Sequence, residues 1–401
     1  MAIVIVGASL AGANAAETLR SEGYQKEIIM IGDEPDPPYE RPPLSKGYLL
    51  GNQELDEAFV HPMEWYREHT IDLRLSTSVT ALDVGDKRVR LSSGERIGYD
   101  KLLLATGARP RPVDVGGARY LRDIRDSKAL KSLLTAGTDV AVIGAGWIGL
   151  EVTAAARTHG AEVSVVETDS LPLRRVLGDE LAAFYRDVHA DKGVAFHFGR
   201  TVTSSDGASV TLDDGTSVPA DVVLAGVGVS PCTELAADAG LEVDNGIVVS
   251  ESLQTSAPDV YACGDAANWF NPLIGARMRV EHWENARQGG MVAARAMLGQ
   301  QVSYDWIPYF YSDQYDVGME YSGWVGPGGY DRVVIRGSMD SREFIAFWVK
   351  DSRVLAGMNV NVWDVQDDIR ALIKAGYADG ATVDLAKLAD GEAALDTSLI
   401  A

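Results

Sequence analysis

The chain has 401 residues, 46% hydrophobic and 23% charged, which is too long for one ordinary core and predicts two or three domains. Its 36 basic and 58 acidic residues leave a net charge of −22, which argues against nucleic acid or an anionic membrane as a partner. Cys232 and Cys263 are the only cysteines, no apolar run reaches membrane-spanning length, and MAIVIVGASLAG lacks a basic leader, so a cytoplasmic protein without a disulfide framework is expected.

A strand-glycine-helix pattern opens the chain. Ala2 to Val6 is an apolar, β-branched run, GASLAG follows from Gly7 to Gly12, Ala13 to Arg20 reads as helix, and Glu27 to Ile31 as the next strand. A proline-rich loop from Pro35 to Pro43 comes next, then strands near Leu73 to Val79 and Val89 to Leu91, and the run KLLLATG. The pattern then repeats. Val140 to Ile143 is a strand, GAGWIG spans Gly144 to Gly149, Leu150 to Thr158 is helical, and Val163 to Val166 ends at Glu167. Val222 to Gly228 and DVYACGDA (259–266) follow. From about Gln314, aromatic and β-branched alternation (YDVGMEYSGWV, RVVIRG, EFIAFWVK) predicts a terminal antiparallel sheet with short helices after it.

A lone G-x-G-x-x-G is weak evidence, but the second copy has its context: a strand before, a helix after, and an acid about 20 residues on. Gly144, Gly146 and Gly149 permit a tight turn and close backbone approach, the helix N-terminus offers N–H groups to a pyrophosphate, and Glu167 would accept bonds from ribose hydroxyls. The first copy carries Ser9 in place of the middle glycine, small enough to be tolerated, with Asp33 or Glu34 as the acid. The bland alternative is a glycine turn that only packs helix on strand. The six histidines show no metal-ligand spacing, so no metal is expected.

GASLAG, GDEPDPPYERPPLSK, LLLATGARPR, GAGWIGLE, GVGVSP, DVYACGDAA, EHWENARQGG and YFYSDQY together make the chain resemble the FAD-dependent ferredoxin reductases of bacterial oxygenase systems, within the glutathione-reductase structural superfamily. The resemblance runs nearly end to end. It implies an α/β fold with two Rossmann-like domains, an FAD domain at 1–112 and 246–312 and a NAD domain at 113–245, plus a C-terminal α+β domain at 313–401. It places FAD beside Gly7, Ser9, Ala11, Gly12, Asp33, Glu34, Arg41, Lys46, Val79, Ala105, Thr106, Gly107, Arg122, Gly264, Asp265, Glu281, His282, Trp283 and Tyr311. NAD falls to Gly144, Gly146, Trp147, Ile148, Gly149, Glu151, Glu167, Arg175 and the turn Gly226, Val227, Gly228. Several of these residues have plainer readings: Asp265 as a cap, His282 as structural, Tyr311 as a packed aromatic at a position usually tryptophan in the family.

Relatives that reduce disulfides place a cysteine pair after the first motif, and here that stretch reads YERPPLSKGYLL, without a cysteine. The resemblance therefore implies that NADH reduces FAD and that electrons pass singly to an iron–sulfur ferredoxin, with Lys46 and Glu151 as the catalytic pair. The alternatives are reduction of a small acceptor such as a quinone or a monodehydroascorbate-like radical, or a non-catalytic FAD-binding redox sensor. A monomer or homodimer is expected. Docking of an acidic ferredoxin calls for local basic charge, and Arg277, Arg279, Arg287 and Arg295 form one candidate patch, Arg109 to Arg125 another.

Overall fold

A computed structural model describes residues 2–400. Four consecutive β-branched residues make β1 (Ile3–Val6), buried on both faces as a central parallel strand requires. The alanine-rich α1 (Leu10–Ser21) follows, then β2 (Ile28–Ile31), β3 (Ile71–Arg74) and β4 (Lys101–Leu104). β1 pairs in parallel with β2 on one side and β4 on the other. Leu73 to Val79 is not the single strand expected. β3 stops at Arg74, Ser76 turns at φ +50°, and Val79–Asp83 opens a separate three-stranded antiparallel sheet.

The second unit repeats the first. It contains β5 (Asp139–Ile143), α2 (Trp147–Thr158), β6 (Glu162–Glu167), α3 (Asp179–Ala190), β7 (Ala195–Phe198) and β8 (Val222–Ala225), in the parallel order β7–β6–β5–β8. α2 begins three residues before the expected Leu150, because Gly146 already serves as its extended N-cap. The outgoing and returning segments, Ala108–Pro110 and Val229–Pro231, pair antiparallel as a two-stranded ribbon. β9 (Val260–Ala262) then rejoins the first sheet beside β4, giving β9–β4–β1–β2–β3.

α4 (Trp283–Met297) crosses α1 at Gly290, where a Cβ would lie 2.3 Å from the Ala11 carbonyl oxygen, so only glycine allows this approach. The C-terminal sheet is antiparallel: β10 (Tyr309–Gln314), β11 (Val317–Gly323), β12 (Arg332–Ser338), β13 (Glu343–Lys350) and β14 (Arg353–Val360), in the order β10–β11–β14–β13–β12. β10 runs straight through the expected boundary at 312/313. Its ladder with β11 starts at Tyr309, so 309–312 belong with this sheet.

One face of the sheet shares a core with the second unit, Phe344, Trp348 and Met358 packing with Leu181 and Tyr185. Trp348 also donates its indole N–H to the Leu177 carbonyl at 3.1 Å. The other face covers Ile369 and Ile373 of α5 (Gln366–Ala378) with Phe347 and Val349. β10 therefore hangs over the second unit. Among the described residues no helix is long and apolar enough to cross a membrane, and no group of three or more metal-ligating side chains occurs.

Candidate active site

The first glycine turn is closed in by backbone, that of Ala105 after β4 and its own. Gly7 sits at φ +119° with its Cβ position 2.0 Å from the Ala105 carbonyl oxygen, and the Cβ position of Gly12 lies 2.1 Å from the Gly7 oxygen. Ser9 caps α1 at φ −129°, ψ −164°, an ordinary extended backbone, with no side-chain capping bond and no acid in the first turn. The first N–H groups of α1 therefore keep their capacity for an anion.

Around this turn runs a line of charge. Glu34 accepts from Arg41 at 2.6 Å and from the Tyr39 hydroxyl at 2.5 Å, Arg41 donates onward to the Arg122 carbonyl, and Arg122 meets Asp265 at 3.2 Å. Of the two acids left open after β2, Glu34 is built into the network and Asp33 is exposed. Asp265 sits in the 3-10 turn Gly264–Ala266, whose N-cap is Cys263, so it is not the cap of the plainer reading. Gly264, at φ +70°, rests on Ala11, while Gly107 lies under the Arg122 guanidinium and Thr106 donates to the Cys232 carbonyl at 2.6 Å. Val79 is half-buried at the start of its strand, and Glu281 is tied to Arg279 at 2.5 Å.

The second turn is built alike. Gly144 (φ +97°) faces the Gly226 carbonyl, with its Cβ position 2.6 Å away, and the Cβ position of Gly149 lies 2.3 Å from the Gly144 oxygen. Gly146 has nothing nearer than 3.9 Å. Glu167 accepts the N–H groups of Ala145 at 2.7 Å and Asp169 at 2.9 Å, so its carboxylate faces the turn. Gly226 packs against Gly149, Gly228 turns at φ +93°, and Ile148 and Val227 remain exposed. Arg175 pairs with Asp169 at 2.6 Å and Arg174 with Asp179 at 2.5 Å, beside an open cavity of about 430 Å³ to which Tyr330 also contributes.

The two units and the C-terminal sheet meet at Lys46. Its Nζ lies 2.8 Å from Glu151 of α2, and the two side chains are only 13% and 3% exposed. The two residues that the resemblance implies as a catalytic pair thus form an ion pair between the first and second units, and removing either partner would leave the other charge buried without compensation. Ser45 donates to the other carboxylate oxygen at 2.5 Å, and Ser312 to the Lys46 side at 2.7 Å. The Tyr311 ring centre is 5.3 Å from Lys46 Nζ, with Trp283 edge-on to it at 6.4 Å. Trp147 packs edge-on against Phe310, which also contacts His282, whose Nδ1 is buried without a hydrogen-bond partner.

Neither cysteine is poised for thiol chemistry. Burial pushes the Cys263 thiol up to about 12 and raises Cys232 as well. Much of the expected basic patch on 277–295 is paired: Arg279 with Glu281, Arg287 with Glu284 and Arg295 with Glu22, while Arg277 donates to the Val249 and Asn268 carbonyls and keeps its charge. In the other stretch, Arg109 pairs with Glu234 and Arg125 with Asp123. Most of these arginines thus have an acidic partner, as 58 acids make easy.

Residues 1–290 match the pyridine nucleotide-disulphide oxidoreductase family, and residues 309–399 the reductase C-terminal family. The chain belongs to the pyridine nucleotide-disulphide oxidoreductase family. It is 39% identical to the ferredoxin–NAD(+) reductase component of an anthranilate 1,2-dioxygenase system from Burkholderia cepacia, over 99% of this chain and 98% of that one. It is 38% identical to putidaredoxin reductase from Pseudomonas putida, over 90% and 88%. Among solved structures, a covalent putidaredoxin reductase–putidaredoxin complex superposes with a TM-score of 0.92 at 36% identity, covering 98% of this chain and 97% of that one. The dinucleotides of this family member are FAD and NAD(H). Two glycine turns with uncapped helix N-termini and the unpartnered His282 Nδ1 fit them.

Ser45, Tyr39, Asp169, Ser312, Gln314 and Gly290 were not singled out from sequence. For Ser312 and Gln314 a signal existed: within YSDQY they stand two apart, the spacing that puts both on one face of a strand.

Proposed function

We propose that this chain is an NADH-dependent ferredoxin reductase whose iron–sulfur partner serves an oxygenase, as the names of its near full-length relatives suggest. The observation that carries the reading is the meeting of Lys46, Glu151 and Tyr311, one from each part of the molecule, where disulfide-reducing relatives would need a thiol and this chain has Ser45 and Lys46. When bound, FAD would supply the exchange between two-electron transfer from a nicotinamide and one-electron transfer to an iron–sulfur acceptor.

The residues divide the remaining work. Gly7, Ser9, Ala11 and Gly12 with the N-terminus of α1 would hold the FAD pyrophosphate, Glu34 the adenosine ribose, and Arg41, Arg122 and Asp265 the line between them. Thr106, Gly107, His282, Trp283 and Tyr311 would border the isoalloxazine. Gly144, Gly146, Gly149 and Gly226 would hold the coenzyme, with Glu167 toward its ribose. Lys46 supplies a shielded positive charge toward negative charge gathered on the ring system, and Glu151 fixes its position. A cytoplasmic setting belongs to the proposal, supported by two unpaired thiols.

The test is turnover of the purified flavoprotein with NADH and a ferredoxin encoded beside it. Rapid reduction by NADH followed by repeated ferredoxin reduction is expected. Turnover with quinones alone would move the assignment to small-acceptor reduction, and a single slow reduction without turnover would make the chain a sensor.

A further inference from the structure

We infer that Ser312 and Gln314 are positioning residues that carry a hydrogen-bond chain of fixed polarity from His189 to Glu151 and so hold Lys46 in place. The inference rests on the proposed role of Lys46 beside the flavin.

The polarity follows from one fact. An ionised carboxylate only accepts, so Ser312 Oγ, 2.7 Å from Glu151 Oε1, must spend its single proton there. Ser312 then has only its lone pairs for Gln314, whose amide nitrogen lies 3.1 Å away and donates. That orientation turns the Gln314 carbonyl oxygen toward His189 Nε2 at 2.7 Å, and a carbonyl demands a donor, so His189 must carry its proton on Nε2. His189 Nδ1 is left as the acceptor, with the Tyr315 hydroxyl 3.3 Å from it as the donor. With a neutral imidazole, no other arrangement satisfies every member. A neutral imidazole is what the site favours, since burial lowers the His189 pKa to about 4.

The members come from all three parts of the molecule: Ser45 and Lys46 from the first, Glu151 and His189 from the second, Ser312 and Gln314 from β10. Ser312, Gln314, His189 and Glu151 are all buried. Water cannot replace a lost member cheaply, so the chain fixes the docking of β10 and the aim of Glu151 together. On β10 the intervening Asp313 is exposed to the opposite side, as the two-residue period requires. Tyr311 shares that strand, so its ring and the ion pair are set by one element.

Two measurements test the inference. In protein carrying ¹⁵N-histidine, His189 is expected in the Nε2–H tautomer, with or without FAD. An Nδ1–H tautomer would reverse the Gln314 amide, turn Ser312 away from Glu151 and overturn the inference. In stopped-flow, Ser312→Ala is expected to slow flavin reduction at saturating NADH about tenfold, with NADH affinity and FAD content unchanged, as loss of a donor to a buried charge implies. In a Lys46→Met background the same change should have no further effect, because it acts through the lysine. Effects that multiply would make Ser312 merely structural. A Lys46→Met variant as fast as the parent would instead refute the role of Lys46, which separates the two failures. Ser312→Cys, nearly isosteric but a weak donor, carries the same cycle if the alanine variant does not accumulate.

Discussion

The two nucleotide-binding units share a backbone plan and differ in what their charged side chains touch. In the first, Glu34, Arg41, Arg122 and Asp265 bind one another across the site, Arg41 reaching a backbone carbonyl as well. In the second, Glu167 bonds to its own turn, and Arg174 and Arg175 pair with Asp169 and Asp179 on the open surface. A network closed on itself costs little to keep organised around a resident group, whereas local pairs on an exposed rim let a coenzyme come and go. On the proposed function the first unit would be the resident cradle and the second the exchange site. The contrast resides in Glu34 and Arg41 with Arg122 and Asp265 in the first unit, and in Glu167, Asp169, Arg174 and Arg175 after the second strand of the other.

The largest break in the comparison is expected at Gly7. An alanine there meets the Ala105 carbonyl at 2.0 Å and is held at φ +119°, both intolerable for an L side chain, so a loss of several kcal/mol is expected. Bound FAD per chain and thermal unfolding read the result. A Gly7→Ala protein with full FAD and the parental Tm would show that this turn relaxes freely.

Acid should weaken the second unit through His189. Its folded pKa of about 4 lies below the unfolded value of about 6.5, so the unfolded chain binds the extra proton between them. Stability is therefore full above pH 6.5 and falls by up to about 3 kcal/mol as pH drops to 4. Urea unfolding at several pH values should show this slope, and His189→Gln should flatten it. An unchanged slope in that variant would assign the loss to other groups.

Lys46→Met addresses what joins the two units. Flavin reduction by NADH should slow at least tenfold with FAD retained, since a shielded positive charge is lost and Glu151 is left uncompensated. Stopped-flow absorbance gives the rate directly, and parental rates would dispose of the role.

Both glycine turns and the parallel strands behind them were legible because each depends on local pattern: an apolar β-branched run, glycines at fixed spacing, then a helix. Lys46 and Glu151 were legible as a pair because both lie in motifs. Their meeting point was only half visible. Ser312, Gln314 and His189 are brought to Glu151 by packing of the C-terminal sheet on α2 and α3, and residues 45, 151, 189 and 312 have no local relation in the chain. The charge of the arginine patch is only partly legible for a related reason: Arg277, Arg279, Arg287 and Arg295 read as a local excess, but Arg295 pairs with Glu22, far away in sequence. The strand read near Leu73–Val79 failed on one left-handed residue, Ser76, which a hydrophobic pattern does not mark.

Coenzyme choice separates the units further. Glu167 faces the turn, and the nearby Arg175 and Arg174 pair with Asp169 and Asp179, so on the proposed function a 2′-phosphate would meet the Glu167 carboxylate with the arginine charge already shared. NADH should exceed NADPH in kcat/KM by about tenfold or more, since one like-charge contact of ~1.4 kcal/mol suffices. Glu167→Gln keeps an acceptor for the Ala145 N–H but removes the charge, and should narrow the ratio by about tenfold. Equal efficiencies in the parent would sink the assignment.

The smallest effect is expected at the middle position of each motif, where the units differ in sequence but not in backbone. Ser9 lies at φ −129° and Gly146 at φ −80°, both open to any residue, and a Cβ on Gly146 would find nothing nearer than 3.9 Å. The serine in the first unit is therefore no defect, because the glycines that cannot change are the outer ones. Gly146→Ser should alter the dissociation constant for NADH less than threefold, on the order of a few tenths of a kcal/mol. Gly144→Ser, by contrast, places a Cβ 2.6 Å from the Gly226 carbonyl at φ +97° and should abolish binding. Titration of the coenzyme against both variants decides it: equal losses would mean that the middle glycine is needed for approach of the pyrophosphate itself, and Ser9 would then mark a looser hold in the first unit.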